Sequence, residues 1–442
     1  MRKRICAAVA TAALIVSVMT TGTAFAGDSA SVFKVLLEKG VITEAEYRAI
    51  TDEQKADEKE NQVLLNTQIA EAIEYNKPEE KEGWVDRVKL SGLLEGEYRW
   101  IKSSDVSDKD ADAASDLYVR RLELGIEAEL TDWIKANAVL NSEFIGDSVN
   151  EGDELITVDE AVINLRQEDV PVYLVLGKRV QPFGVFENHL VTDPMTQDAY
   201  EAKRVGLTLG ATGPIGLDLS ATLYKGEEQM DHLVDSGLFE AARAGDPGND
   251  VGSYIVSASI SPVEDSLTLF GSYLSEPGRG DRNETANFGL SAAVPGIRDL
   301  RLDAEYMKAL KREKFDGLEE AFKEGVYSVT ASYVINNGER REEPGGATLA
   351  ERLAHILEEP LELAFRYERF DDDGLAEKTS SWSVKNRYSV GASYPFFKDE
   401  DKGLAAYVAA EYRYTDFRLH DDVEDVRADN NKEVFLRLGA AF

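Results

Sequence analysis

Histidine and carboxylate side chains are where this chain of 442 residues could do acid–base or metal chemistry. Its four histidines are His189, His232, His355 and His420, and none is paired at a metal-ligand spacing. His420-Asp421 has the form of a proton-transfer dyad, but no nucleophile can be assigned to it. Asp371-Asp372-Asp373-Gly374 offers carboxylates to Ca²⁺ yet lacks the alternating ligand spacing of an EF-hand loop. Arg279-Gly280-Asp281 and Asn283-Glu284-Thr285 are chance matches in a polar stretch. No enzyme activity, metal or cofactor is expected.

The chemistry the sequence does repeat is charge at every second position. Parity puts the cations Arg99, Arg121, Arg366, Lys385, Arg387, Arg413 and Arg437 on one face of their segments. The acids Glu123, Glu127, Asp303, Glu305, Glu362 and Glu411 share that face, with Glu95 and Glu368. Rings of charge around a wet hole select ions by sign. Two readings stay open for the cations of the last four segments. They form an arginine ladder that guides anionic solutes, or they pair with Glu362, Glu368 and Glu411 and act structurally.

The elements that must hold these side chains are β-strands. The last nine residues, Val434–Phe442, place Val434, Leu436, Leu438, Ala440 and Phe442 on one face and Phe435, Arg437 and Gly439 on the other. Period two means a strand. A chain that stops on a bare aromatic suits a barrel whose last strand must pair with its first, with Phe442 at the membrane–water interface as an assembly signal. Val88–Trp100 and Tyr118–Leu130 alternate in the same way. Within the second, Arg120 interrupts the apolar face, and its head is expected to reach lipid headgroups. About sixteen such runs are readable, and barrels of this kind have even counts.

Short connections such as Thr131-Asp132 and Gln167–Pro171 alternate with long ones such as 181–202 and 226–250. That is the loop pattern of an outer-membrane barrel, with short turns on one side and long loops on the other. Residues 336–359 break the rule. They are read as a helical insert, built on Thr348–Glu359, at the short-turn end. The alternative is a miscounted strand. A soluble sheet protein would explain neither the loop lengths nor charges on the inner face of so many strands.

Residues 1–26 read as a secretory signal: Arg2, Lys3 and Arg4, an apolar run, and small residues before cleavage after Ala26. The only cysteine, Cys6, lies inside it, so the mature chain has no disulfide. Removing three cations and no anions takes the net charge from −34 to −37, which argues against nucleic acid as a partner. Residues 27–84 read as a helical periplasmic segment, with a capping box at Thr43–Glu46 and a proline stop at Pro78. A coiled coil that makes an oligomer, a lid and a loose tail are its alternatives. The expected architecture is a single transmembrane antiparallel β-barrel over residues 85–442, exported to an outer membrane. Its expected partners are membrane lipid and lipopolysaccharide, the barrel-assembly machinery, small hydrophilic solutes and further copies of itself, as a trimer. A barrel that acts as a structural tether through its N-terminal helix is the competing function.

The third outer loop holds stiff or bulky residues suited to packing inside a lumen. The candidates for a pore constriction are Pro182, Phe183, Gly184, Phe186, Glu187, Asp193, Pro194 and Glu201. Together with Gly177, Lys178 and Thr196 they form a pattern that resembles the siderophore-uptake porins of the legiobactin-receptor type. Met195 stands where that family usually has Leu. Residues 36–43, Leu-Leu-Glu-Lys-Gly-Val-Ile-Thr, also resemble the helical start of this family and of some phosphate-selective porins. The resemblance is sharp over about 25 residues, Gly177–Glu201, and diffuse elsewhere. It implies an outer-membrane porin, of a kind that passes iron–siderophore complexes, without fixing the ligand; residues 27–84 leave no room for the globular plug of energy-coupled receptors.

Overall fold

Alternation becomes pairing throughout the computed structural model. It describes residues 87–104, 113–147, 155–225, 233–234, 251–263, 266–278, 281–297, 299–314, 318, 320–335, 359–399, 402–420 and 429–442. The signal sequence and the helical segment expected before residue 85 lie outside the described residues.

Sixteen strands run in order. They are β1 (Val88–Ser104), β2 (Ala113–Thr131), β3 (Ile134–Ile145), β4 (Thr157–Arg166), β5 (Val172–Val180) and β6 (Lys203–Thr212). Next come β7 (Asp218–Tyr224), β8 (Ser253–Val263), β9 (Leu267–Pro277), β10 (Arg282–Ala293) and β11 (Leu300–Lys311). The last are β12 (Gly325–Ile335), β13 (Leu361–Asp371), β14 (Trp382–Asp399), β15 (Leu404–Leu419) and β16 (Asn430–Ala441). Each pairs antiparallel with its neighbours in sequence, and β16 returns to β1 with Leu94 opposite Ala440 and Tyr98 opposite Leu436. Closure removes the sheet edge, so every strand's backbone groups find partners within the sheet.

The two faces have opposite chemistry. Leu90, Leu94, Leu122, Leu124, Leu436 and Leu438 are exposed on the outside, each by 42% or more. An apolar band of this extent is unstable against water and stable against hydrocarbon. No described helix is long and apolar enough to cross a membrane. Tyrosines mark the long-loop end of the outer face: Tyr327, Tyr367, Tyr388 and Tyr414 follow one another across β12–β15, with ring centroids 5.0–6.3 Å apart.

The strands are longer than the periodicity suggested. The expected loop 275–284 shrinks to a tight turn because β9 runs to Pro277 and β10 begins at Arg282. No strand stands between β12 and β13 in the barrel order. Ile335 of β12 sits opposite Leu361 of β13, so the two are direct neighbours and the long connection falls at the short-turn end. The helix expected there lies, apart from Glu359, outside the described residues.

Two cations depart from their expected side. The β1–β2 register shifts between Glu95 and Gly96, which leaves Arg120 as the extra residue of a bulge. Its guanidinium turns away from lipid to meet Glu143 at 3.2 Å, and it stacks 4.3 Å from the Phe144 ring. A second bulge, between Val384 and Asn386, frees Lys385 from the alternation. Lys385 pairs with Asp416 at 3.5 Å. Asp416 in turn accepts from Asn386, which bonds to Tyr367 of the outward tyrosine row. Lys385 therefore belongs to the outer rim, not to the inner face where parity had put it.

Candidate functional site

Residues 181–202 join β5 to β6 by crossing the inside of the barrel. A short helix, α1 (Met195–Tyr200), lies within them. Phe183, Met195, Ala199 and Tyr200 are fully buried in one apolar cluster with Ile255, Leu274, Met307, Val326 and Phe370 of the wall. Phe183 meets Tyr200 edge-on at 5.8 Å. Gly184 is needed for this close packing: a Cβ there would fall 2.4 Å from the Phe186 ring and 2.9 Å from Met307 Cε. Phe186 itself adopts a left-handed φ of 53°.

Wall carboxylates fasten the loop by its donors. The Val185 N–H donates to Glu305 (3.1 Å). The Thr192 N–H and hydroxyl both donate to Glu411 (2.7 and 2.8 Å). The Met195 N–H donates to Glu368 (2.5 Å) and the Tyr200 hydroxyl to Glu324. His189 bridges Glu362 at 2.6 Å and Asp303 at 2.9 Å. Both ring nitrogens face carboxylates, so the imidazolium form, with two N–H donors, satisfies the site. These bonds push the His189 pKa up to about 9, against the opposing effect of burial. Ser291 also donates to Asp303, so serine and histidine share an acceptor and are not joined as nucleophile and base.

Arg366 completes the fastening. It has no solvent exposure, and its guanidinium donates to the Thr192 carbonyl (2.7 Å), the Asp193 carbonyl (3.1 Å) and the Asn188 amide oxygen (3.1 Å). Its Nε lies 3.2 Å from Glu368. Arg387 reaches from β14 to Asp198 of α1 at 2.8 Å. Arg99 and Arg413 share Glu433, at 2.6 and 2.8 Å, over the ring of inward-facing Phe435. Arg437 meets Glu97 at 2.6 Å. Arg121 faces Glu123 at 3.3 Å and Glu143 at 3.5 Å, with Glu95 at 3.8 Å. Pairing prevails over a free ladder, but only Glu368 of the three carboxylates expected to do the pairing takes an arginine. Glu362 and Glu411 hold the loop instead. Glu127 lies near the short-turn end, 3.4 Å from Lys89.

The eight constriction candidates divide. Phe183, Gly184, Phe186 and Pro194 pack toward the β9–β14 wall, and Pro182 is half-buried. Glu187 is exposed, while Asp193 and Glu201 are half-exposed. Asp193 has Arg120 and Arg121 within electrostatic reach, and burial together with Asp198 raises its pKa. Burial raises Glu201 as well. Solvent reaches the lining beside β1–β4, where Arg121 and Glu143 keep 32% of their side chains exposed, against none for Arg366 and Glu368.

Charge alternation alone had not marked out His189, Asp198, Glu97 or Glu433. Glu433 shares the parity of Arg437 and was readable; Asp198 and His189 carry no period because they sit in a loop. Asp372, considered above for Ca²⁺, is buried, accepting from the Gly374 and Ala376 amides and from the Ser383 hydroxyl. Among the described residues no group of three or more metal-ligating side chains converges.

No family model matches the chain, and no curated protein matches it. Among solved structures it is similar to the outer-membrane channel DcaP of Acinetobacter baumannii, with a TM-score of 0.52, 13% identity, and coverage of 80% of this chain and 97% of that one. OmpF of Salmonella typhi, in complex with daunomycin, gives a TM-score of 0.49 and 16% identity over 80% of this chain and 97% of that one. At these identities the likeness is one of fold: a closed antiparallel barrel of the kind DcaP has.

Proposed function

We propose that the chain is an outer-membrane channel of a Gram-negative bacterium through which small hydrophilic solutes diffuse passively. One observation carries this reading: a closed barrel turns leucines outward and ion pairs inward, with residues 181–202 narrowing the inside. An apolar exterior needs hydrocarbon around it, and charged side chains on an inner face cost little only where water reaches them. The solvated groups beside Asp193 and Arg121 line the passage, and residues 181–202 are its constriction. Purified mature protein in planar bilayers is expected to give stepwise conductance. Folded, heat-modifiable barrels that leave the bilayer silent would overturn the proposal.

Ferric siderophores are the cargo implied by the Gly177–Glu201 resemblance. The support is that residues 181–201 of that stretch form the loop inside the barrel, with Gly177 and Lys178 on β5 before it. Proteoliposomes loaded with the chain should admit a ferric siderophore faster than a neutral sugar of equal size; equal rates would remove the cargo and leave the channel. Assembly as a trimer is part of the proposal, with lipopolysaccharide as the outer-leaflet neighbour and Phe442 as the segment read by the assembly machinery. Cross-linking of the purified protein in detergent tests the trimer.

A further inference from the structure

We infer that the passage beside the inward loop favours cationic over anionic solutes, a reading that rests on the channel assignment above. Sign selection depends on the charges that solvent reaches and that no partner neutralises. The arginines best placed to attract anions do not meet this condition. Arg366 is sealed under the loop with Glu368. Arg387 is held by Asp198. On the solvated side, Arg121 faces three carboxylates within 4 Å, and one of them, Glu143, also serves Arg120. At Glu433, by contrast, two arginines share one carboxylate.

The loop edge opposite supplies the excess. Asp193 accepts from the Asn188 amide, at 3.3 Å, and Glu201 at the end of α1 accepts from Gln197 and has Lys203 within electrostatic reach, a cation already bonded to Asp159 at 2.7 Å. Asp193 lies close enough to Arg120 and Arg121 to offset what remains of their charge. A solute threading between loop and β1–β4 wall therefore meets a net negative collar. Ammonium groups, organic cations and hydrated alkali ions fit it. Polyanions such as citrate-type chelates do not, so among ferric siderophores the neutral and cationic ones are the expected cargo.

The test is the zero-current potential of the mature chain in planar bilayers across a KCl gradient. The expected sign is that of K⁺ permeation. Asp193→Asn combined with Glu201→Gln, both nearly isosteric, should lower the K⁺/Cl⁻ permeability ratio by about twofold or more while conductance steps persist. A wild-type potential at zero or of chloride sign overturns the inference and leaves the channel standing. A double variant with an unchanged ratio overturns the assignment to these two residues. Absence of any steps overturns the channel reading first, and this one with it.

Discussion

The ring of Phe442 lies on Gly92. A Cβ at Gly92 would fall 2.3 Å from Phe442 Cζ, and the two residues exchange backbone hydrogen bonds of 2.8 and 3.0 Å. The last residue of the chain therefore locks the seam where the barrel closes, over a glycine that leaves it room. Gly92→Val should displace the ring at a cost of about 1–3 kcal/mol, typical of overpacking. The check is the temperature at which the folded band is lost on unboiled gels, expected to fall. Phe442→Ala should lower it too. The double variant should lose less than the sum, because the two residues share one contact.

Much of this fold was legible because a membrane on one side and water on the other force strict alternation. Leu436 and Arg437 could be assigned to opposite faces without any coordinates. Legibility stopped where one residue breaks the period. Arg120 and Lys385 each sit in a bulge, and a single inserted residue reverses the side on which a cation stands. It stopped again at partners. Arg437 and Glu97 are 340 positions apart, and only closure brings them together. The loop's role in neutralising wall charge was invisible for a further reason: backbone N–H groups, such as those of Val185 and Met195, leave no mark in a sequence pattern.

His189 should make the loop's attachment depend on pH. Its folded pKa of about 9 stands above the ordinary 6.5, raised by hydrogen bonds to Asp303 and Glu362. Stabilisation from such a group is complete below 6.5 and is lost as pH rises through 9. The shift corresponds to an upper bound of about 3 kcal/mol. Cys6 falls in the expected signal sequence, so Glu187→Cys gives a single spin-label site beside His189. The label should be immobile at pH 6 and mobile above pH 9. His189→Gln should already be mobile at pH 7; a label that stays rigid at high pH in both proteins would refute the clamp.

Arg366 should be the most costly single substitution in the lumen. Replacing it by Met leaves Glu368 buried without its guanidinium and the Thr192 and Asp193 carbonyls without their donor. Breaking a buried pair from one side costs about 3–5 kcal/mol. Arg366→Met should lower the unfolding midpoint in urea and expose 181–202 to protease. Arg366→Lys should fall between, since it keeps the charge but loses the fork that spans three acceptors. A Met variant as stable as the native protein would show that the loop is held by its apolar cluster alone.

Arg413 offers the sharpest test between an arginine ladder and neutralised pairs. It shares Glu433 with Arg99, so Arg413→Gln leaves one cation facing one carboxylate across the β1–β16 seam. If free arginines set the sign of the permeant ion, removing one should shift the zero-current potential strongly toward cations. If the pairs elsewhere cancel, only the one excess charge at Glu433 is removed, and the K⁺/Cl⁻ ratio should rise by less than about twofold, because a single charge acts over little more than the ~8 Å of a physiological Debye length. Arg387→Gln should act differently again. It strips Asp198 of its counter-ion beneath the loop, so its main effect should be lower stability, with the liberated carboxylate adding to cation preference. The measurement is the zero-current potential of each variant in one KCl gradient, read beside its urea midpoint. A large shift for Arg413 without loss of stability would restore the ladder.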